Sequence, residues 1–532
     1  MTSAATQGAA QRPAFTDLVD LAAERTGGAA LAANDEFFAP KENLLKPGRG
    51  VFIEDRYTDR GKWMDGWESR RKREPGHDWC VVKLGLPGTV RGVCVDTNHF
   101  KGNFPEACSI DACALDGRPT ADEVLAQGRW VEILPRAILQ GHSENFFPVA
   151  NEGRFTHLRL NIYPDGGVAR LRVFGEVVPD WKWLARYHGG RIDLAAVEHG
   201  GVVVACNDQF FGARHNLVMP GRAVNMGDGW ETKRKRKLTW SGGGDGSPPR
   251  PDASDWVIVQ LGAAGTLSSV EVDTNHFKGN FPESCLLEGT NAGDDPTVES
   301  LTAPGRTWEP LLARTKLRAD TRHFFDEQIR PHGTITHVRL SIFPDGGVSR
   351  LRLFGAVAPE GFARAALRRL NALPHEEAAA ELLRCCGSRS WAGRMAERRP
   401  FRDRESLLAA ADAVWREAGR EDRLEAFRAH PRIGSTKDLA HQSGAARAWA
   451  ESEQKGARDA TATTTEALAR VNREYEERFG HIYIVCATGK TADEMLALAR
   501  SRLGNDAAKE LDVAAEEQRK ITRIRLEKLL SP

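Results

Sequence analysis

VDTNHFKGNFPE runs from Val95 to Glu106 and again, unchanged, from Val272 to Glu283. The identity extends outward in order. NDEFFAPKENLLKPGR (Asn34 to Arg49) returns as NDQFFGARHNLVMPGR (Asn207 to Arg222), and THLRLNIYPDGGVARLRVFG (Thr156 to Gly175) as THVRLSIFPDGGVSRLRLFG (Thr336 to Gly355). DGWE recurs at Asp65 and Asp228, each time followed by a basic run. A solenoid repeats every 20 to 50 residues or so; the spacing here is that of tandem domains.

Within the duplicate, Asp96, Thr97, Asn98, His99, Lys101 and Asn103 match Asp273, Thr274, Asn275, His276, Lys278 and Asn280, while apolar positions elsewhere in the repeats drift. Volume-conserving apolar swaps usually cost under about 1.5 kcal/mol, so drift there is expected; retained polar identity needs another reason. Two readings stand. Asp-Thr-Asn is good turn chemistry, with Gly102 or Gly279 available for a positive φ. The same groups also suit a ligand site.

The 532 residues carry 74 basic and 73 acidic side chains, a net charge of +1, which offers no electrostatic case for nucleic acid or a membrane surface. At roughly 150 residues per domain the length predicts three or four domains. No apolar run approaches the roughly 18 residues of a transmembrane helix, and the start lacks a secretory apolar region, so a cytoplasmic protein is expected. Nine cysteines without a CxxC pair imply neither a disulfide framework nor a zinc ribbon, and buried thiols are expected.

Residues 1–30 read as a lead-in, 31–180 and 200–358 as the repeats, and 181–199 as a linker. The repeats are β in texture: WCVVKLG and WVIVQLG are short Val-rich and aromatic runs, and the PDGG segment reads as a hairpin. GGGDGSPPRPDAS, Gly242 to Ser254, reads as a surface insertion. From 359 to 532 the pattern is helical, as in EEAAAELLRCC and ESLLAAADAVW. The predicted architecture is two tandem all-β, jelly-roll-like sandwiches followed by an all-α domain.

Each repeat gathers a Trp-Glu step (Glu68, Glu231), a basic cluster (Arg71, Arg234 and their neighbours) and the polar loop. Arginine grips carboxylates bidentately and Asn and Thr bond ureido groups, so a small carboxylated, amide-rich ligand fits Asp96, Asn98, Lys101, Asn103 and Arg71, and in the second copy Asp273, Asn275, His276, Lys278, Asn280, Glu231 and Arg234. His99, His77 and Glu68 are the acid and base types on hand. His77 aligns with Ser254, and His142 and Glu144 have no identical partners, so the repeats are not equivalent. His99, Asp96, His142 and Glu144 are also metal-ligand types without a metal-motif spacing, which leaves a divalent metal open for the repeats.

NDEFF, DGWE with its basic run, DTNHFKGNFPE and PDGG together resemble the allantoicase family. The resemblance implies a tandem β-sandwich that hydrolyses allantoate to ureidoglycolate and urea. An acid must protonate the departing urea nitrogen, and another group must activate water or help expel it.

The helical region reads RCCGSRSWAGRMAERRPF, LEAFRAHPRIGS, ESEQKG, NREYEERFGHIYIVCATGK and KITRIRLEKLL. It is similar to the OHCU decarboxylases, which act on 2-oxo-4-hydroxy-4-carboxy-5-ureidoimidazoline. That resemblance makes His430 the catalytic histidine, Glu453 its acidic partner and Arg525 the arginine. Pro431, Ala450 (where the family usually has Ser), Gln454 and the stretch His481, Ile482, Tyr483, Ile484 and Val485 are the implied substrate contacts. His481-Ile482-Tyr483 stands where the family usually has Phe-Pro-Phe. The conjugated ring can take up the electrons left by carbon dioxide, so no cofactor is expected for this domain. The combined expectation is a bifunctional purine-catabolic enzyme acting on small molecules, with self-association left open. The alternative is a pair of non-catalytic ligand-binding repeats fused to an active decarboxylase.

Overall fold

A computed structural model describes residues 12–115, 117–234, 254–293, 296–432 and 462–531, in two compact units, 1–361 and 362–532. The insertion at 242–253 lies outside the described residues.

Each repeat is organised by one 19-residue strand, Asp78–Asp96 in the first and Asp255–Asp273 in the second. The early part of Asp78–Asp96 pairs with Ala29–Ala33 on one side and Arg154–Tyr163 on the other; the late part pairs with Glu144–Pro148 and Arg170–Val177. All of these pairings are antiparallel, and Ala107–Cys113, Val131–Ile138 and Val19–Asp20 extend the two ends. The strand thus serves two layers and changes partners near Gly88, where a Cβ would lie 2.1 Å from the Glu176 carbonyl oxygen. Only glycine tolerates that approach. Val82, Val93, Val95, Leu158, Leu160, Leu171 and Val173 are fully buried in the core of this sandwich. The second repeat reproduces the arrangement with Val202–Cys206, Ile335–Phe343, Arg322–Phe325 and Arg350–Val357 around its long strand.

Three expectations are corrected. The PDGG segment is not a hairpin: its flanking strands pair with different parts of the long strand. Between them Gly167 and Val168 pair with Glu68 and Trp67, which carries the chain from one layer to the other. The lead-in ends well before residue 30, because Val19 and Asp20 pair with Gly175 and Phe174, and Leu21 and Ala22 are fully buried. Phe15 also packs on Phe146 and Phe174, with ring centroids 6.3 and 6.0 Å apart. The linker is likewise shorter: Ile192 and Asp193 pair with Gly355 and Phe354, so the second repeat starts there rather than at 200.

His157 and His337 occupy equivalent buried positions, each with Nδ1 on the preceding threonine hydroxyl at 2.8 and 2.9 Å. Burial foremost, and then Lys83 or Arg306, lowers both imidazoles to about 4. Below the ordinary value of 6.5 the unfolded chain takes up protons that the folded repeats refuse. Stability should therefore fall as pH drops from about 6.5 toward 4, with a limiting slope of about 1.4 kcal/mol per pH unit for each histidine. Guanidinium denaturation at pH 7 and pH 5 checks this, and His157→Gln should flatten the dependence.

The second unit is helical. His375–Leu383, Arg389–Glu397, Arg404–Arg416, Arg420–Arg428 and Ala507–Leu529 enclose a core that includes Trp391, Met395, Leu407, Val414 and Phe427. Between Ala462–Phe479 and Ala492–Arg502 the HIYIVCATG passage has no regular secondary structure. Side chains take up its backbone groups instead: Arg502 donates to the Ile484 carbonyl (2.8 Å), and the Cys486 amide donates to Glu517 (2.8 Å). No helix among the described residues is long and apolar enough to cross a membrane.

Candidate active sites

The duplicated loop divides its residues between turn and site. Asp96 receives Arg49 Nε and Nη2, both at 3.0 Å, and the Asn98 amide at 2.9 Å. Thr97 donates to the Gln140 carbonyl at 2.6 Å and Asn98 Nδ2 to the Gly50 carbonyl at 2.8 Å. Asp273, Thr274 and Asn275 repeat this with Arg222, Arg318 and Ala223. Of the residues expected to hold substrate, Asp96 and Asp273 spend their carboxylates on Arg49 and Arg222, and Asn98 and Asn275 spend their Nδ2 groups on the Gly50 and Ala223 carbonyls. Gly102 and Gly279 do not supply the turn's positive φ. That conformation falls on His99 and His276, at φ 69° and 68°. A left-handed non-glycine residue is costly, persists only where its surroundings fix it, and clusters at functional sites.

What fixes it is a cap absent from the motif. The His99 amide donates to His142 Nδ1 at 2.9 Å, and the His276 amide to Asp320 Oδ1 at 2.7 Å. His142 and Asp320 are equivalent positions with one role and different chemistry, so sequence identity could not reveal them. The His99 ring lies 5.4 Å from Phe52, stacked at 25°, and 5.4 Å from His142. Burial, then His142, lowers its pKa, which favours a neutral imidazole. In the second copy His276 Nε2 sits 3.0 Å from the Ala223 carbonyl.

The other end of the loop reaches a carboxyl group. Asn103 Nδ2 donates to Glu68 at 2.7 Å, and Asn280 to Glu231 at 2.5 Å. Burial raises the Glu68 pKa, with the Asn103 bond opposing it. The DGWE tryptophans anchor this step, since Trp67 Nε1 donates to the Asp35 carbonyl and Trp230 to that of Asp208, each at 2.8 Å. Asp35 also accepts from Arg70 at 2.7 Å, an arginine that sequence reasoning passed over. Lys101, Lys278, Arg71 and Arg234 are exposed. Lys72 is not a solvated charge: its Nζ lies 2.5 Å from buried Asp78. His77 packs on Tyr163, 4.9 Å between rings. Of the three acid and base candidates, His99 lies on the duplicated loop and Glu68 is bonded to that loop through Asn103, whereas His77 stands against Tyr163.

Among the described residues no group of three or more His, Cys, Asp or Glu side chains is placed to hold a metal ion. Of the four metal-ligand candidates, Asp96 is held by Arg49, Glu144 by Arg12 (2.6 Å), and His142 by the His99 amide.

In the helical unit His430 follows Arg420–Arg428, its amide on the Phe427 carbonyl at 3.0 Å, with buried Pro431 next. Gln518 and Arg525, both buried on the helix Ala507–Leu529, face it. Thr522 lies between them and accepts from Gln518 Nε2 at 3.2 Å. Positions 518, 522 and 525 are spaced i, i+4, i+7, a single helix face. Gln518 and Thr522 were missed; polar residues on that otherwise apolar spacing were the available signal. Burial first, and then Arg525, lowers His430 to about 3. Glu453, Gln454 and Ala450 lie outside the described residues.

His481 packs on Phe427 at 5.2 Å, so the apolar stretch approaches the turn that carries His430. Its Nδ1 lies 3.0 Å from the Ile482 carbonyl, and Tyr483 donates to the Met495 carbonyl at 3.2 Å. Ile484 is 2% and Val485 6% exposed, and both pack in the core. All nine cysteines are free; eight are buried, and burial pushes Cys386 up to about 12, a poor nucleophile.

Together these features define a duplicated β-sandwich protein with a polar loop in each copy, joined to a helical domain in which a half-buried histidine faces a buried arginine. The family model of the allantoicase repeat matches residues 19–178 and 192–358, and that of OHCU decarboxylase matches 371–527. The chain is 48% identical over 347 residues to a probable allantoicase of Burkholderia mallei, covering 65% of this chain and 96% of the relative. It is 35% identical to the crystal structure of allantoicase from Saccharomyces cerevisiae, with a TM-score of 0.51, covering 63% of this chain and 92% of the other. The chain belongs to the allantoicase family and carries an OHCU decarboxylase domain behind its two repeats.

Proposed function

We propose that the repeats hydrolyse allantoate to ureidoglycolate and urea, and that the helical domain decarboxylates 2-oxo-4-hydroxy-4-carboxy-5-ureidoimidazoline to (S)-allantoin. The chain then works on small molecules of purine catabolism, and we place it in the cytoplasm. The observation that carries the first activity is the loop that joins a neutral histidine to a carboxyl group with a raised pKa. A half-buried carboxyl whose pKa is raised is better suited than an exposed one to protonate a departing urea nitrogen, and an imidazole whose pKa is lowered to take a proton from water. In this reading Glu68 is the acid, His99 the base, and Asn103 holds the Glu68 side chain; Lys101 and Arg71 supply positive charge for the substrate carboxylate. Glu231, His276, Lys278, Asn280 and Arg234 form the second copy.

Because both repeats carry the pair, Glu68→Gln/Glu231→Gln and His99→Ala/His276→Ala should each lower urea release from allantoate by about 10²–10⁴-fold, while the single variants show how the turnover divides between the repeats. Unchanged turnover in both double variants would remove these residues from the chemistry. Wild-type binding of allantoate without any urea release would instead make the repeats ligand-binding modules. Assays before and after chelation test whether a divalent metal takes part.

For the second activity, carbon dioxide leaves with cleavage of the bond to the ring carbon, and the electron pair enters the conjugated ring. A proton must then reach carbon. Burial and Arg525 favour a neutral His430, and an anionic substrate beside Arg525 opposes the charge that lowers it, so binding raises His430 toward a proton-donating form. Glu453 is assigned to hold the imidazole or the ureido group.

A further inference from the structure

The two repeats differ sharply on the outer face of one sandwich layer. In the first repeat, the layer containing Arg170–Val177, the late part of Asp78–Asp96 and Glu144–Pro148 bears a cavity of about 660 Å³. The corresponding space in the second repeat is about 250 Å³. Both share a floor of three arginines: Arg49, Arg170 and Arg172 in one, Arg222, Arg350 and Arg352 in the other.

Strand register identifies what fills the smaller one. Glu144 stands opposite Asp96 as Arg322 stands opposite Asp273, and Cys94 occupies the place of Glu271. Arg322 and Glu271 form a two-pronged pair at 2.7 and 2.9 Å, laid across that face. In the first repeat Cys94 is small and Glu144 turns to Arg12, so the space stays open. The loop before Arg49 also stands differently. Arg350 Nε donates to the Gly221 carbonyl at 3.2 Å, whereas the buried Nε of Arg170 has no partner.

Three features define what the cavity would accept. Arg49 uses Nε and Nη2 on Asp96, which leaves its Nη1 donors and half its side chain accessible. Five guanidinium groups against four carboxyl groups line the walls, an excess of one positive charge. Phe146, Phe174, Leu45 and Pro47 add an apolar surface. The volume falls within the usual range for small-molecule sites, about 300–1,000 Å³. None of His99, Glu68, His77 or Asn103 lines it.

We propose that this cavity is a binding site, confined to the first repeat and separate from the His99 loop, for a small organic monocarboxylate with a flat apolar body. Arg49 takes the carboxylate and Phe146 and Phe174 take the body. Calorimetric titration of the full chain with benzoate tests it, comparing wild type with Cys94→Glu/Glu144→Arg, which builds the second repeat's pair into the first. One benzoate per chain is expected, with affinity reduced at least tenfold in the double variant and urea release retained. The reverse variant, Glu271→Cys/Arg322→Glu, guards against misfolding of the first and should raise the stoichiometry toward two. Absence of benzoate binding to wild type, or equal binding after the exchange, would overturn the proposal. Loss of urea release from a folded double variant would also overturn it, by making the cavity part of the allantoate site.

Discussion

His430→Asn is expected to lower the decarboxylation kcat by about 10²–10⁴-fold, the usual contribution of a positioned proton donor, while leaving urea release from allantoate unchanged. His430 follows a helix whose buried Phe427 fixes the turn, and across from it stand Gln518 and Arg525 on another helix. A merely structural histidine would tolerate Asn with little change in kcat. A proton donor would not, and the wild-type pH profile should carry its signature. Burial and then Arg525 hold the imidazole down to about 3. Arg525→Lys keeps the charge but loses the planar fork, so it should raise KM more than it lowers kcat. Stopped-flow decay of freshly generated substrate, followed with purified full-length protein, measures both constants.

Glu510→Gln should cost the helical unit about 3–5 kcal/mol, the largest stability effect expected here, because it leaves a buried guanidinium unpaired. Glu510 is fully buried and receives Arg502 Nε at 2.8 Å and Nη2 at 2.5 Å, the Tyr475 hydroxyl, and Asn505 at 2.7 Å. Arg502 in turn holds the Ile484 carbonyl and lies 4.9 Å from the Tyr483 ring. The network therefore fixes the passage proposed to line the decarboxylase site, and a loss of stability should come with a raised KM. Guanidinium denaturation of the full chain, followed by circular dichroism at a helical wavelength, reads the effect. A loss below about 1 kcal/mol would mean that water or a rearranged neighbour satisfies Arg502.

Sequence reading went furthest where the signal was local or duplicated. The β texture, the helical periodicity after Gly355 and the pairing of polar loops all followed from neighbouring residues or from the second copy. It failed where long-range pairing decided the outcome. Arg154–Tyr163 and Arg170–Val177 look like a hairpin until the 19-residue strand that separates their partners is seen, and nothing local states where that strand changes layers. Asp96 and Asn98 could not be sorted into turn or site from their identity, because both outcomes use the same chemistry; their partners Arg49 and Gly50 lie nearly fifty residues away. The cap on His99 and His276 was hidden for the opposite reason, since His142 and Asp320 perform one task with different atoms.

The most direct test of the whole account is a single preparation of the full chain supplied with allantoate and, separately, with freshly generated 2-oxo-4-hydroxy-4-carboxy-5-ureidoimidazoline. Urea is measured in the first case and the optical signal of (S)-allantoin in the second. Turnover of both is expected, with His99→Ala/His276→Ala abolishing only the first and His430→Asn only the second. Failure of the wild-type chain to release urea, with allantoin still formed, would contradict it and leave the repeats as binding modules on a decarboxylase.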